Sequence, residues 1–362
     1  MTVSYLGAAT ETAAFDAAIE HFFAERRAEA DMLGQDFTAA VAELERFVLR
    51  GGKRIRPAFA WLGWIGAGGD RHGPLAASVL NACAGLELLH ASALIHDDII
   101  DASRTRRGHP AAHVSFAERH RSRGLAGNPE AFGTGAAILV GDLAQVWADV
   151  MIRESGLPAD TQARVAPVWS AVRAEVLYGQ LLDLTNQASE DEGIDAALRV
   201  NQYKTASYTV ERPLQFGAAI GCAGPRIVAA YRAFGADIGI AFQLRDDLLG
   251  VFGDPVVTGK PSGEDLREGK RTALLAIALD RADDRDPAAA RLIRSTIGTN
   301  LSDGELDLVR SAFVDVGAVD HVEGLIAHRT DRALAVLEAS DVTASVKGQL
   351  AEMAIKATQR ES

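Results

Sequence analysis

The chain has 362 residues, 48% of them hydrophobic and 24% charged, which is typical of a globular protein with a large core. Its formal net charge of −12 argues against a nucleic-acid-binding protein, because such proteins usually carry a basic face. The charge does not exclude an anionic small substrate, since a local basic cluster or a bound metal ion can override it.

Helices are expected along most of the chain, because aromatics are only 6%, alanine is abundant and long stretches lack proline. In chain order, helical periodicity is read in residues 37–49, 75–101, 136–154, 168–188, 196–222, 226–250 and 272–283. Segment 75–101 is apolar almost all round, which predicts a buried helix. Loops are predicted at 119–135, 155–161 and 253–271, the last long enough to be a lid.

The domain and compartment follow from the same features. Length alone allows about two domains, but none of the three loops resembles a linker, so residues 1–362 are expected to form one all-α domain. Two cysteines in apolar stretches indicate no disulfide framework and fit a reducing cytoplasm. No signal peptide is recognised, and the most apolar window, residues 136–150, is too short to span a membrane.

The sharpest motif is the acidic run Asp97-Asp98-Ile99-Ile100-Asp101 at the end of segment 75–101. Asp97 and Asp101 stack one turn apart on one helix face, with Asp98 beside them. Three carboxylates at the end of an apolar helix are costly unless a cation meets them. Mg²⁺ accepts carboxylate oxygens while it keeps waters and substrate phosphate oxygens. The alternative is a helix end that projects into water.

A second acidic pair lies at the end of segment 226–250, in the sequence FQLRDD. Gln243 precedes Asp246 and Asp247 by three and four residues, so the amide and both carboxylates share a face. Two such clusters on buried helices could hold metal ions between them, and they are expected to face one cavity. A third stacked acid would occupy position 250, which is Gly250, and whether Asp254 replaces it stays open.

Cations gather in the turn GGKRIRP, before a helix expected to start near Pro57. Lysine, arginine and backbone N–H donors on a Gly-rich turn suit a diphosphate, although a solvated turn with capping glycines is the alternative. Arg106 and Arg107 follow the first acidic run as either its charge partners or diphosphate ligands. Lysines on the predicted lid, Lys260 and Lys270, suit a closing segment over a phosphate site.

Together these motifs resemble the trans-prenyl diphosphate synthases, all-helical enzymes that lengthen isoprenoid diphosphates. The resemblance runs from about Gly51 to Thr272, through GGKRIRP, LIHDDIID, RRG, KT, FQLRDD and GKRT, and is closest to bacterial geranylgeranyl-type synthases. It implies an isoprenoid-synthase helical bundle around a central apolar cavity, Mg²⁺ as the cofactor and a homodimer. The implied substrates are isopentenyl diphosphate and allylic diphosphates of C5 to C15.

The resemblance also implies residue roles. Asp97 and Asp101 would bind Mg²⁺ that bridges the allylic diphosphate, with support from Asp98. Asp246 would hold a further Mg²⁺, with Asp247 nearby. The isopentenyl diphosphate site would comprise Lys53, Arg56, His90 and Arg107. Contacts to the allylic diphosphate would come from Arg106, Lys204, Thr205, Gln243, Lys260 and Lys270, and Lys204 is also counted among the catalytic residues with the aspartates.

Product length in such an enzyme depends on what closes the cavity below the aspartates. Ala93, Ser92 and Leu89 lie four, five and eight residues before Asp97 and point down the wall of a regular helix. The first two are small, so Leu89 or a residue of a neighbouring helix is the expected floor. The first motif also lacks the two-residue insertion typical of bacterial farnesyl synthases. We therefore predict a C20 product, geranylgeranyl diphosphate, with a C15 or longer-chain synthase as the alternative.

Two other functions compete with this interpretation. A class I terpene cyclase also uses an aspartate-rich helix, but its second metal motif usually carries Asn, Ser and Glu in place of FQLRDD. A non-catalytic subunit of a heteromeric synthase typically lacks the aspartates, and both acidic clusters are present here.

Overall fold

The computed structural model describes residues 6–253 and 263–359. The first helices are α1 (Leu6–Leu33), α2 (Gln35–Leu49), α3 (Ile55–Gly66), α4 (Ala76–Ile100), α5 (Ala112–Ser122), α6 (Pro129–Arg153), α7 (Ala159–Ala188) and α8 (Ile194–Val200). A π-helix (Asn201–Glu211) follows, and then α9 (Arg212–Ile220), α10 (Pro225–Phe252), α11 (Glu264–Glu268), α12 (Ala273–Arg285), α13 (Pro287–Thr296), α14 (Asp303–Asp315), α15 (Ala318–Glu338) and α16 (Ala344–Thr358).

The expected all-α class is confirmed. The strands found in the described ranges are β1 (Thr105–Arg106) and β2 (His109–Pro110), which form one short antiparallel pair. Residue contacts divide the chain into two compact units, the first made of residues 1–170 and 213–224 and the second of residues 171–212 and 225–362. That the whole chain acts as one domain stays a prediction.

Helix α4 runs through the first unit and carries the first acidic run. It packs closely against α6, because two glycines lie where side chains would collide. A Cβ on Gly85 would come within 2.9 Å of Ile152 Cγ1, and one on Gly141 would overlap the His96 ring. The helix ends at Ile100, and the N–H of Asp101 donates to Asp97 O at 2.8 Å. Asp97 and Asp98 therefore occupy the last turn of a helix whose position is fixed by packing, and Asp101 is the C-cap of this helix.

The π-helix is the central irregularity of the second unit. It is wider than an α-helix and long for its kind, and such segments often mark functional sites. Glycines on the helices that flank it allow the close approach. A Cβ at Gly179 of α7 would lie 2.5 Å from Lys204 Cα, and Cβ atoms at Gly235 and Gly239 of α10 would overlap Glu211 and Ala206. Lys204 and Thr205, expected in mid-helix, thus lie on a π-helix held by two neighbours.

Helix α10 is anchored on its other side by charge pairs. Arg245 donates to both carboxylate oxygens of Glu323 on α15 at 2.6 Å, and Asp237 accepts from Arg329 at 3.1 Å and Arg332 at 2.6 Å. Helix α10 also contributes the buried side chains of Ile240, Leu244 and Leu248 to the core of the second unit, where α12, α14 and α15 also meet. The end of α10 that carries Asp246 and Asp247 is therefore rigidly placed.

Some predicted boundaries are wrong. The loop predicted at 119–135 is mostly helical: α5 continues to Ser122, and α6 already begins at Pro129. Asn128 caps α6 by accepting the Ala131 N–H at 2.9 Å, and proline suits the first helical position. Helix α7 begins at Ala159 and passes through Pro167, which was expected to precede the helix. Helix α3 starts at Ile55, which agrees with the start expected near Pro57.

Three helices, α4, α6 and α10, are long and apolar enough to cross a membrane by length and composition alone. The most apolar windows of α4 and α10 are 67% and 56% buried inside the protein, whereas that of α6 is only 44% buried. Helix α6 therefore presents apolar side chains on the surface of its unit. The absence of a membrane span stays a prediction.

Candidate active site

The first acidic run divides into two kinds of carboxylate. Asp97 and Asp101 are half-buried on one face of α4, whereas Asp98 is completely buried. Arg106 on β1 donates from Nε to Asp98 Oδ1 at 2.7 Å, its Nη2 donates to the same oxygen, and Nη2 reaches Asp97 Oδ2 at 3.2 Å. Asp98 is thus the buried counter-ion of Arg106. Arg106 was expected to contact the allylic diphosphate. It would therefore make that contact while its guanidinium is held by Asp98.

The predicted basic cluster assembles around the turn before α3. Gly51, at φ +105°, allows the turn, and its carbonyl accepts a hydrogen bond from Arg107 Nη1 across 56 residues of sequence. Lys53 and Arg107 are exposed, and Arg56 is half-buried. The structure therefore brings the GGKRIRP turn and the RRG motif together in the first unit.

Arg54, the middle cation of that turn, has a different place. It is buried, with φ +47°, and donates to Asp16 Oδ1 at 2.7 Å, to Glu87 Oε2 at 2.8 Å and to Val48 O at 2.9 Å. It therefore ties the turn to α1, α2 and α4. Sequence reasoning missed Glu87 because a single glutamate in an apolar helix shows no pattern, although its burial cost already requires a cation.

His90 lies in the field of the basic cluster. Its burial and the positive charges of nearby arginines hold the pKa of His90 well below its usual range; these arginines are Arg56, Arg107, Arg106 and Arg54. At neutral pH the ring is therefore uncharged and can donate and accept hydrogen bonds. Four of the expected diphosphate ligands, Arg56, His90, Arg106 and Arg107, thus influence one another electrostatically, and a diphosphate would be attracted to this place.

The second acidic pair forms a chain of hydrogen bonds within the second unit. Thr205 Oγ1 donates to Gln243 Oε1 at 2.6 Å, and Gln243 Nε2 donates to Asp247 Oδ1 at 2.9 Å. The backbone N–H of Ala273 donates to Asp247 Oδ2 at 3.3 Å. Asp246 is half-buried beside the chain. Residues of the π-helix, α10 and α12 are thus linked by hydrogen bonds to the Asp247 carboxylate, directly or through Gln243. The sequence spacing predicted only the contact within α10, between Gln243 and Asp247.

Asp247 is 2% exposed, and its titration reflects that burial. Burial, together with the charges of Asp265 and Asp246, raises the pKa of Asp247 to about 7, although the hydrogen bonds from Gln243 and from the Ala273 N–H act in the opposite direction. Asp247 therefore holds a proton more strongly than an ordinary carboxyl. A carboxyl that keeps its proton is a poor metal ligand, so Asp246 suits metal binding better than Asp247 does.

The predicted lysines have carboxylate neighbours. Lys204 Nζ lies 2.6 Å from Asp183 Oδ2, and Lys270 Nζ lies 2.9 Å from Glu268 Oε2 and 3.8 Å from Asp265 Oδ1. Both lysines are half-buried. Lys260 and Asp254 lie outside the described residues, so their places stay predictions. Asp265 was not considered from the sequence, because the motif GEDLREGKRT does not relate it to α10.

The predicted chain-length residues lie along α4 at different depths. Ser92 and Leu89 are buried, at 2% and 3% exposure, and Ala93 is half-buried on the side that also carries Asp97. Their influence on product length stays a prediction.

The donor set fits Mg²⁺. Within the described residues no three acidic, histidine or cysteine side chains come together as a ready-made cage. Mg²⁺ does not require one, because it is usually held by one or two carboxylates, waters and substrate phosphates. Asp97 and Asp101 on one face of α4, and Asp246 on α10, are carboxylates of that kind.

Comparison with known proteins agrees with this geometry. The family model described as polyprenyl synthetase matches residues 39–306. The geranylgeranyl pyrophosphate synthase of Corynebacterium glutamicum, solved in complex with isoprenyl diphosphate and magnesium, is 45% identical, with a TM-score of 0.92 over 96% of this chain and 98% of that chain. Among curated proteins, the geranylfarnesyl diphosphate synthase of Aeropyrum pernix is 35% identical over 79% of this chain and 83% of its own length.

A geranylgeranyl diphosphate synthase of Mycobacterium tuberculosis is 31% identical over 79% of this chain and 75% of its own length. The family match covers well over half of the chain. The chain therefore belongs to the polyprenyl synthetase family.

The burial of Asp98 allows its structural role to be separated from that of its neighbours. Asp98→Ala would leave Arg106 with only the longer contact to Asp97, so we expect a loss of about 3 kcal/mol in the free energy of unfolding. Asp101→Ala, on the same turn but half-buried, should cost under about 1 kcal/mol while abolishing turnover. Urea unfolding of both variants measures the difference, and equal losses would contradict the assignment.

The raised pKa of Asp247 predicts a pH dependence of stability in Mg²⁺-free protein. The native carboxyl keeps its proton up to about pH 7, whereas in the unfolded chain it loses it near pH 4. The native state thus binds more protons in this window, and the free energy of unfolding should fall as the pH rises from about 4 to 7. Urea unfolding of Asp247→Asn in EDTA should show a flatter slope. Asp331→Asn, on the exposed face of α15, should keep the wild-type slope.

Proposed function

We propose that this protein is a Mg²⁺-dependent prenyltransferase that condenses isopentenyl diphosphate head-to-tail with allylic diphosphates and releases mainly geranylgeranyl diphosphate. The observation that carries the proposal is the meeting of opposite charges at the end of α4. Half-buried Asp97 and Asp101 suit a metal ion, and Arg106 joins them to a cluster of cations suited to a diphosphate. The 45% identity to a geranylgeranyl pyrophosphate synthase supports the same function.

Residues of the first unit would bind both diphosphates. Asp97 and Asp101 would hold Mg²⁺ on the allylic diphosphate, where the ion stabilises negative charge that develops on the leaving oxygens. Lys53, Arg56 and Arg107 would bind isopentenyl diphosphate beside neutral His90. Asp98 keeps Arg106 in place through its buried ion pair, so that the guanidinium lies beside Asp97.

The second unit has further donors that suit a diphosphate. Lys204 and Lys270 supply positive charge, and the bond from Thr205 to Gln243 fixes the side chain that positions Asp247. Asp246 would hold a further Mg²⁺, so that each acidic cluster binds at least one ion. Lys260 is proposed in the same role as Lys270 on the strength of the family motif alone.

The reaction needs no side-chain nucleophile. Departure of the diphosphate leaves an allylic cation, and attack by the isopentenyl double bond on this cation forms the new C–C bond. Loss of a proton next to the cation that results then forms a new double bond. The cation must be kept from water, which is why apolar helices suit the chemistry. The protein therefore contributes binding, charge and exclusion of water.

We propose a C20 product because the residues just below Asp97 on α4 are small. Ala93 and Ser92 leave room for a growing chain, and Leu89 or a residue of a neighbouring helix would stop it. The similar proteins include a geranylfarnesyl, a geranylgeranyl and a farnesyl diphosphate synthase, so a longer or a C15 product is the alternative. We also propose that the protein acts in the cytoplasm.

An elongation assay tests this function. Purified protein with Mg²⁺, isopentenyl diphosphate and, separately, C5, C10 and C15 allylic primers should give mainly a C20 diphosphate by mass spectrometry. Asp97→Ala should give none while it remains folded. Absence of elongation with every primer would contradict the synthase, cyclic hydrocarbons would indicate a terpene cyclase, and a product of C30 or longer would contradict the proposed floor.

We further propose that the protein is a homodimer formed along α6. Phe132, Leu139 and Val146 recur every seven residues on one face of this helix and are 43%, 69% and 58% exposed. Seven residues span nearly two full turns, so these side chains form one apolar stripe. Exposed, contiguous apolar side chains usually mark a protein interface. Because most oligomers are symmetric, a second copy of this chain with the same stripe is the partner that we propose.

Light scattering after size-exclusion chromatography tests this interface. The wild-type protein should have twice the monomer mass, and Leu139→Glu should shift it to the monomer because a charge would be buried against an apolar partner. Leu308→Glu on α14 removes a leucine that is 57% exposed and should leave the mass unchanged. A monomeric wild-type protein, or a dimeric Leu139→Glu protein, would refute the proposal.

A further inference from the structure

A single carboxylate of α7 holds the last turn of the π-helix. Glu175 Oε2 accepts hydrogen bonds from the Ser207 hydroxyl and, at 2.8 Å, from Arg212 Nε, and its Oε1 accepts from Arg212 Nη2. The backbone N–H of Arg212 also donates to Ser207 O, five residues earlier, which is the hydrogen bond that defines a π-turn. Glu175 therefore bridges the same two residues that this backbone bond joins.

Glu175 makes these contacts as an anion. Its partial burial acts to raise its pKa, but the hydrogen bonds from Arg212 and Ser207 and the positive charge of Arg212 hold the pKa of Glu175 below its usual value. The side chains of Glu175 and Arg212 are only 20% and 14% exposed, so water screens the pair less than it screens an ion pair on the surface.

A second carboxylate, Glu211, links the two ends of the π-helix. Gln202 Nε2 donates to Glu211 Oε2 at 3.0 Å, and Arg232 Nε on α10 donates to Glu211 Oε1 at 2.9 Å. Glu211 is buried, and Gln202 precedes it by nine residues. One hydrogen bond therefore joins the second residue of the π-helix to its last.

These spacings fit a π-helix and not an α-helix. Nine residues of an α-helix make about 2.5 turns, which would place Gln202 and Glu211 on opposite faces. In a π-helix, whose hydrogen bonds run from residue i to residue i+5, nine residues complete about two turns, and the two side chains share a face. Winding as an α-helix would also separate the two donors to Glu175 by about 140° around the axis. Both carboxylates therefore stabilise the wider winding.

The winding decides where Lys204 and Thr205 point. Lys204 Nζ lies 2.6 Å from Asp183 Oδ2 on α7, whereas Thr205 Oγ1 donates to Gln243 Oε1 on α10. Seven residues separate Lys204 from Glu211, and over that length α- and π-winding differ by about a third of a turn. An α-helical segment anchored at Glu211 would therefore turn both side chains away from these neighbours.

We propose that Glu175 and Glu211 are positioning residues whose contacts keep residues 201–211 in π-helical winding. This winding directs Lys204 and Thr205 toward the allylic diphosphate. The proposal rests on the proposed function, in which those two residues contact the allylic substrate. Neither carboxylate is itself a ligand of the diphosphate.

Isothermal titration calorimetry with Mg²⁺ and one substrate at a time tests the proposal without elongation. Glu175→Ala and Glu211→Ala should weaken binding of the C15 allylic diphosphate at least about tenfold, because misplaced ligands lose much of their effect, and should change isopentenyl diphosphate binding less than about twofold. Glu175→Gln keeps one acceptor oxygen and should have a smaller effect. Glu192→Gln alters a similar ion pair, with Arg294 on α13, and should leave both affinities unchanged. Circular dichroism verifies that each variant is folded.

A combined variant tests whether Glu175 acts through the residues that it positions. In a background of Lys204→Ala and Thr205→Ala, Glu175→Ala should weaken allylic binding by less than about a further twofold, since the positioned side chains are gone. The proposal is overturned if Glu175→Ala binds the allylic diphosphate as the wild type does, if it weakens binding of both substrates equally, or if its effect is undiminished in that background. Failure of the wild-type protein to elongate any primer would instead refute the proposed function.

Discussion

The cost of placing carboxylates at the ends of buried apolar helices is the constraint on which both acidic clusters depend. Helices α4 and α10 each carry one buried aspartate and, next to it in sequence, one half-buried aspartate. Asp98 is neutralised by Arg106, whereas Asp247 is held by Gln243 and a backbone N–H and has a raised pKa. The neighbours Asp97 and Asp246 are half-buried, where a cation can reach them. In each pair, the buried aspartate thus stabilises the local structure through its hydrogen bonds, and the half-buried aspartate remains accessible to a cation.

Glycines hold these helices in position, because the absence of a side chain lets neighbouring helices pack closely against each other. Gly85 and Gly141 let α4 lie against α6, and Gly179 and Gly239 let the π-helix lie against α7 and α10. The acids and lysines at these helices are therefore placed by packing. A net charge of −12 consequently says little about the site, since a few arginines gathered at one turn are enough to attract a diphosphate.

Much of the fold and the candidate site could be predicted from sequence. Segment 75–101 agrees closely with α4, and the pairing of Gln243 with Asp247 follows from a spacing of four residues on a helix. The errors arose where local signals conflict. Glycine and arginine content suggested a loop at 119–135, yet an Asn-Pro start and packing of Gly133 against the His113 carbonyl favour helix there. Pro167 was taken as a helix boundary, although α7 continues through it.

The sequence by itself determined the helical class, the two acidic motifs, the basic turn and the family, because these depend on residue type and on spacing along one helix. Only the tertiary structure decided which acid is buried against Arg106, that Arg54 ties the turn to Glu87, and that Asp265 lies against Gly250. These contacts join residues that no helical period relates. Their distances depend on how separate segments pack, and the sequence pattern carries no record of that packing.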